Sequence, residues 1–233
     1  MYTRTEALIG KFAMDLIKDK KVFVFGVGGV GGYVAEALAR SGVGTIAVAD
    51  FDTVEETNLN RQIIALKQTI GSNKAELMAA RMRQINEKIV AKYFPEKIDE
   101  TNIKYMMIEK YDYIIDAVDD VKAKVAIIKM AKEKKIPVIS CMGTGNKLHP
   151  EKLKVADIKK TTTCPLAKAV RKALRAEGIT EGVKVVYSTE EPIVSGVEDE
   201  NGNISPASAV FVPAAAGLMI AAEVFRDMAY LNE

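Results

Sequence analysis

The sequence predicts an α/β fold: one doubly wound, mostly parallel sheet with a C-terminal α/β extension. Three observations predict it. Short apolar runs alternate with stretches of helical period from residue 21 to about residue 145. The first run passes directly into a cluster of glycines. Two of the later strand-like runs end in acids, Asp50 and Asp119.

Residues 1–19 place Ala7, Leu8, Phe12, Leu16 and Ile17 at helical spacing, so they read as an amphipathic helix behind a short arm that holds Arg4. The run at 22–25 is the first strand. Gly26, Gly28, Gly29, Gly31 and Gly32 follow it, then a helical pattern to about residue 40, then a second strand at 45–49 that ends in Asp50. Glycines in a strand-to-helix turn let bare N–H groups approach a phosphate, and the N-terminus of the next helix adds its own unpaired N–H groups. An acid closing the second strand is placed to hold ribose hydroxyls. The ordered set of strand, glycine turn, helix, strand and acid is far more specific than glycine spacing alone, and it makes the core Rossmann-like.

Residues 51–60 form a polar loop. Ser72 or Asn73 caps a helix that runs to about residue 86, with Lys74 in its first turn. A cation there opposes the helix dipole, so Lys74 is either exposed or meets an anion. A weaker strand at 89–94 and a short helix at 101–108 come next. The strand at 113–118 ends in Asp119 and Asp120, and a helix, a strand at 137–142 and a turn at 143–146 complete the core. Ligands of parallel sheets bind off the carboxyl ends of the strands, so the glycine loop, Asp50 and Asp119 should converge on one pocket.

Beyond residue 146 the texture changes. A strand at 153–158, a helix at 165–177, a strand at 183–188, a polar loop at 196–206 and a last helix from about Pro213 are expected. The apolar stretch 207–222 is short for a membrane span and contains Pro213 and Gly217, which favours a buried or interface helix and no membrane. The chain thus reads as one domain of 233 residues: an arm and helix over 1–20, a nucleotide-binding core over 21–145, and an extension over 146–233.

With 48% apolar and 27% charged residues the composition is that of an ordinary globular protein, and a net charge of +2 does not by itself imply nucleic acid. The charge is uneven, however. Lys147, Lys152, Lys154, Lys159, Lys160, Lys168, Arg171, Lys172 and Arg175 are opposed in that stretch only by Glu151 and Asp157. Such a run is a solvated face or a landing surface for a polyanion. Cys141 and Cys164 give no disulfide framework and no CxxC metal pair, and a reducing cytoplasm fits. His149 reads as a surface histidine.

A nicotinamide site shares the glycine turn and the acid but has no general need for the polar set Asn58, Arg61, Gln62 and Lys74. Cations beside a pyrophosphate neutralise charge that builds up when a phosphate is attacked. Asp119 suits magnesium, which prefers carboxylate, phosphate and water oxygens. The set fits ATP, cleaved at its α-phosphate.

GVGGVGGYVAEALARSGVG, DFDTVEETNLNRQ, GSNKAELMAARMRQIN and DAVDD resemble the adenylate-forming superfamily of ubiquitin-activating enzymes and their bacterial relatives, the ThiF, MoeB and HesA group. The resemblance implies a phosphate loop of Gly26, Gly28, Gly29 and Gly31 and a ribose contact from Asp50. It implies phosphate contacts from Asn58, Arg61 and Lys74, and magnesium on Asp119. Arg4 matches an arginine that reaches across a homodimer into the partner's ATP site. The second half, ISCMGTGNKLHPEKLKVADIKKTTTCPLAKAVRKALR, VVYSTEEP and SPASAVFVPAAAGLMIAAEVFRD, is similar to the branch that dehydrates N6-threonylcarbamoyladenosine in tRNA. It implies an acyl-adenylate on that nucleoside's carboxylate, closed by its own carbamoyl group. The basic run, with Lys168, Arg171, Lys172 and Arg175, would then contact tRNA, and Ser188, Thr189 and Glu190 would line the substrate side of the pocket. The alternative is activation of the C-terminus of a ubiquitin-like sulfur-carrier protein, disfavoured by the missing zinc cysteines. A scaffold that docks a sulfur-relay protein partner is a third reading.

Overall fold

The computed structural model describes residues 1–198 and 204–231. The chain begins with two helices, α1 (Thr3–Ile9) and α2 (Lys11–Asp19), in place of the expected arm and single helix. Gly10 separates them at a φ of 83°, a left-handed conformation that only glycine adopts cheaply. Arg4 therefore sits exposed on α1 and not in an arm.

The strands are β1 (Lys21–Phe25), β2 (Thr45–Ala49), β3 (Val90–Phe94), β4 (Tyr113–Asp116), β5 (Val138–Cys141), β6 (Leu153–Asp157) and β7 (Lys184–Ser188). They form one sheet in the order β3-β2-β1-β4-β5-β7-β6. All neighbours pair in parallel except β6, which runs antiparallel to β7. The helices after α2 are α3 (Gly31–Arg40), α4 (Lys74–Ile85), α5 (Ile103–Met106), α6 (Val121–Glu133), α7 (Pro165–Ala176) and α8 (Phe211–Ala229).

Side chains of a strand alternate between faces, and both faces of this sheet are buried. One face sets Val22, Val24, Ile46, Val48 and Ile115 against α2, α3, α4 and α8. The other sets Phe23, Phe25 and Ile114 against α5, α6 and α7. Phe23 and Phe25 stack at 4.0 Å and have Ala47 and Ala49 as their register partners on β2, small residues that leave room for the rings. Gly217 of α8 lies where a Cβ would be 2.5 Å from the Val30 carbonyl oxygen, so α8 packs closely on the start of α3. That contact makes α8 a cover for the core. Among the described residues, no helix is long and apolar enough to cross a membrane.

Two further expectations need correction. The loop expected at 196–206 contains a hairpin of β8 (Gly196–Glu198) and β9 (Ile204–Pro206); residues 199–203 lie outside the described residues. The strand expected to run to Val118 stops at Asp116. Asp119 is therefore in a loop, and Asp120 becomes the N-cap of α6, its carboxylate accepting the Ala123 N–H at 2.8 Å.

Candidate functional site

The chain goes from β1 to β2 on one side of β1 and returns to β4 on the other. The connections therefore diverge above the carboxyl ends of β1 and β4, the place where such sheets bind ligands. A cavity of about 680 Å³ opens there. Its wall brings together Gly26, Gly28, Gly29, Asp50, Asn58, Arg61, Lys74 and Asp119, residues spread over more than 90 positions of sequence. Gly31 and Arg4 are not on that wall.

The glycines do different work. Gly26 has a φ of 82°, and a Cβ there would meet the Ala117 carbonyl at 2.9 Å, so the ends of β1 and β4 touch through it. Gly28 and Gly29 face the cavity with ordinary clearance. Gly31 is the first residue of α3, where a Cβ would fall 1.8 Å from the Gly26 carbonyl oxygen. It lets helix and loop close on each other.

Asp50 ties the loop down. One carboxylate oxygen accepts the Val27 N–H at 2.8 Å and the other the Asp52 N–H at 3.0 Å. Burial raises its carboxyl above the ordinary range, opposed by those two N–H groups and by Lys74. A carboxyl raised in the folded state adds stability that is present below its unfolded value and lost as pH rises through its folded value. A ribose hydroxyl needs the ionised form. ATP affinity, titrated calorimetrically from neutral pH downward, should therefore start to fall above the ordinary aspartate range. Affinity that stays flat until that range is reached would remove Asp50 from ribose binding.

Lys74 is neither exposed nor unpaired. It is 6% exposed on the cavity wall, and its Nζ lies 3.1 Å from Asp52 Oδ2. The cap of its helix is Asn73, which accepts the Glu76 N–H at 3.1 Å. Asn58 is buried, its Oδ1 accepting the Glu55 N–H at 3.2 Å. Arg61 Nη1 donates to Thr57 O at 2.8 Å and to Asn60 Oδ1 at 3.0 Å, and its stem lies over Gly29. Gln62 is buried beside Gly28, with its Oε1 lacking a hydrogen-bond partner among the described residues. Asp119 is exposed at the mouth. Beneath the wall, Lys124 and Asp116 are both fully buried, Nζ to Oδ2 at 3.0 Å. Lys124 also donates to Cys141 O at 2.6 Å, and Asp116 Oδ1 accepts the Val118 N–H at 3.2 Å. This pair ties the end of β4 to the end of β5 and fixes the loop that carries Asp119.

The rest of the wall comes largely from the C-terminal extension: Asn146, Lys147, Cys164, Leu166, Pro192, Pro206 and Ser208 among others. Sequence reasoning missed Asn146 as a wall residue and counted Lys147 as surface charge; Lys147 is 4% exposed. The available signal was position, since both follow the carboxyl end of β5. Both cysteines are buried, and burial pushes the Cys141 thiol up to about 12. His149 is exposed, 2.8 Å from Glu151. Ser188, Thr189 and Glu190, expected along the pocket, are not on its wall. Glu190 instead accepts the Leu148 and His149 N–H groups at 3.0 Å each, which holds the loop after Lys147.

Helix α7 buries Ala167, Val170 and Leu174 and exposes Lys168, Lys172 and Arg175, spaced as one stripe. Arg171 is half-buried and donates to Thr161 O at 2.9 Å, so its guanidinium is partly committed within the fold. Pro165, at the head of α7, is on the cavity wall, so the stripe leads away from the cavity mouth.

Comparison with known proteins gives concordant matches. The model of the ThiF family matches residues 2–230. The tRNA threonylcarbamoyladenosine dehydratase of Bacillus subtilis (strain 168) is 43% identical over an alignment of 242 positions, gaps included, that covers 97% of this chain and 94% of that one. A crystal structure of Escherichia coli tRNA N6-threonylcarbamoyladenosine dehydratase in complex with ATP matches with a TM-score of 0.90 and 34% identity, covering 99% of this chain and 94% of that one. The same enzyme in complex with AMP matches at a TM-score of 0.89 and 35% identity, over 98% and 93% of the two chains.

Proposed function

Since this chain belongs to the ThiF family, we propose that it is an ATP-dependent dehydratase of N6-threonylcarbamoyladenosine in tRNA, working through an acyl-adenylate. The observation that carries the reading is the cavity with two unlike walls. One has glycine-loop N–H groups, Arg61, Lys74 and Asp50, suited to a nucleoside triphosphate. The other, from the extension, leaves room for a second substrate.

The threonyl carboxylate is a poor electrophile. Its oxygen attacks the α-phosphorus of ATP and pyrophosphate leaves, giving a mixed anhydride. The carbamoyl group of the same side chain then attacks the activated carbonyl carbon, a proton is released, and AMP departs with the former carboxylate oxygen. The nucleoside has lost one water. Arg61 and Lys74 offset charge on the phosphates through the first step. Asp119 would hold magnesium: it and Asp120 both line the cavity, and Asp120 is engaged in capping α6. When bound there, the ion neutralises phosphate charge. Ring closure is intramolecular, a class of reaction with effective molarities of about 10⁵ M and above, so no enzyme nucleophile is required. Two buried thiols agree with that.

Lys168, Lys172 and Arg175 form the tRNA track in this reading. Reversing these three to Glu should weaken tRNA binding and cut the slope of log affinity against log salt by up to about 2 to 3, with ATP affinity unchanged. A salt slope equal to that of the wild type would move tRNA to another face. Arg4, exposed and off the wall of its own cavity, is assigned to the partner's site of a homodimer; sedimentation as a monomer at assay concentration would withdraw that role. A tRNA substrate puts the work in the cytoplasm.

The reading is tested by nucleoside mass spectrometry after incubation with magnesium, ATP and tRNA bearing the modification. Loss of one water from the modified nucleoside, only with ATP, is the expected result. An unchanged mass would overturn it.

A further inference from the structure

We propose that Lys147 seats the substrate carboxylate for adenylation, and that the neighbouring Asn146 amide oxygen accepts a substrate N–H. The inference rests on the dehydratase reading and adds to it two positioning residues.

Lys147 is 96% buried in the part of the cavity wall contributed by the extension. Its Nζ donates to a single neutral partner, Gly143 O, at 2.7 Å. Among the described residues no carboxylate pairs with it. The fold's other deeply buried lysines are treated differently: Lys74 pairs with Asp52, and Lys124 with Asp116. An ammonium taken out of water without a counter-ion is costly, and the cost is recovered when an anion enters. Two of its three N–H donors remain for that anion.

The residue beside it has the complementary deficiency. Asn146 Oδ1 is buried without a hydrogen-bond partner among the described residues, an unfavourable state for a polar atom taken out of water. The amide is not free to turn over. Its Nδ2 donates to Ser195 O at 2.7 Å, and the reversed amide would set two oxygens against each other. The backbone is fixed as well: the Asn146 N–H bonds Ala207 O at 2.7 Å, and its carbonyl accepts the Ile193 N–H at 2.8 Å. Asn146 holds this place at a φ of 59°, a left-handed conformation. Two consecutive residues of the cavity wall thus supply, among the described residues, an acceptor lacking a donor and a cation lacking an anion. The threonylcarbamoyl group carries a carboxylate and, one carbon away, an N–H. The two pairs are complementary.

Position adds a reason for the charge. A carboxylate approaching ATP is repelled by the triphosphate. A buried cation in the wall of the same cavity offsets that repulsion and holds the nucleophilic oxygen toward the α-phosphorus.

The test compares two tRNA ligands on the ATP-loaded protein: one with the threonylcarbamoyl carboxylate, one with that group as its carboxamide. Wild-type protein should bind the carboxylate form at least tenfold more tightly. Lys147→Gln, which can still donate to Gly143 O, should lose that preference with ATP affinity unchanged. Lys147→Met should do the same. A preference that survives in both variants would overturn the assignment, as would a wild-type protein that does not distinguish the two ligands. The latter needs no variant to fold. Wild-type turnover in the mass assay separates the two levels: turnover with retained preference in the variants sinks the Lys147 assignment alone, and no turnover sinks the dehydratase reading.

Discussion

Asp119→Ala should lower AMP formation from ATP and modified tRNA by about a hundredfold to a thousandfold while leaving the melting temperature within a degree or two of wild type. The two halves of that expectation have separate grounds. Asp119 is exposed in the loop after β4 and faces the cavity. Among the described residues no hydrogen bond or ion pair joins its side chain to the rest of the fold, so removing it costs the fold little. The loop is held instead by Asp116, through the Val118 N–H at 3.2 Å, and by Gly26 against Ala117. The loss is expected to fall on the phosphate charge that magnesium held by this carboxylate would offset. Asp120→Ala is the matched control. That substitution removes the cap of α6 and should cost about 1 kcal/mol of stability, with AMP formation kept. AMP produced at the wild-type rate by Asp119→Ala would remove the residue from the mechanism.

The pair Asp119 and Asp120 also marks how far sequence carries. Strand, glycine turn, helix and strand are local patterns, and β1, α3, β2 and Asp50 stand where they were expected because period and glycine placement fix them within a few residues. The parallel sheet followed from alternation of strands and helices, and with it the edge at which the polar residues meet. What sequence did not reveal depends on long-range packing. Lys147 looks the same in sequence as Lys152 or Lys154, yet it is buried and they are exposed. The difference comes from Glu190, 43 positions away, which folds the Lys147–Leu148–His149 segment inward through two backbone N–H groups. The break at Gly10 and the hairpin at 196–206 were missed for a simpler reason: short elements carry too few residues for period to declare itself.

Gly31→Ala should destabilise the fold by about 3 kcal/mol or more and abolish ATP binding, whereas Gly28→Ala should leave the fold intact and weaken ATP binding alone. In sequence the two glycines belong to one run and look alike. In space they differ. The added carbon at Gly31 would lie 1.8 Å from the Gly26 carbonyl oxygen and 3.2 Å from the Ala117 Cβ. The first is far inside contact distance, and its partner is backbone, which cannot swing aside as a side chain does. Gly26 is itself held by its N–H on Ala49 O at 2.8 Å and by its close approach to Ala117. Relief therefore requires α3 to lift from the sheet, away from the α8 that packs on it at Gly217. The phosphate loop and the helix N-terminus would separate, and with them the N–H groups that face a phosphate. At Gly28 the added carbon meets nothing nearer than the Gln62 amide at 3.7 Å and projects where ligand would lie. Thermal melts and ATP titrations on the two variants decide it. A Gly31→Ala protein with wild-type melting and wild-type ATP affinity would mean that the close approach of α3 to the loop is not what shapes the phosphate site.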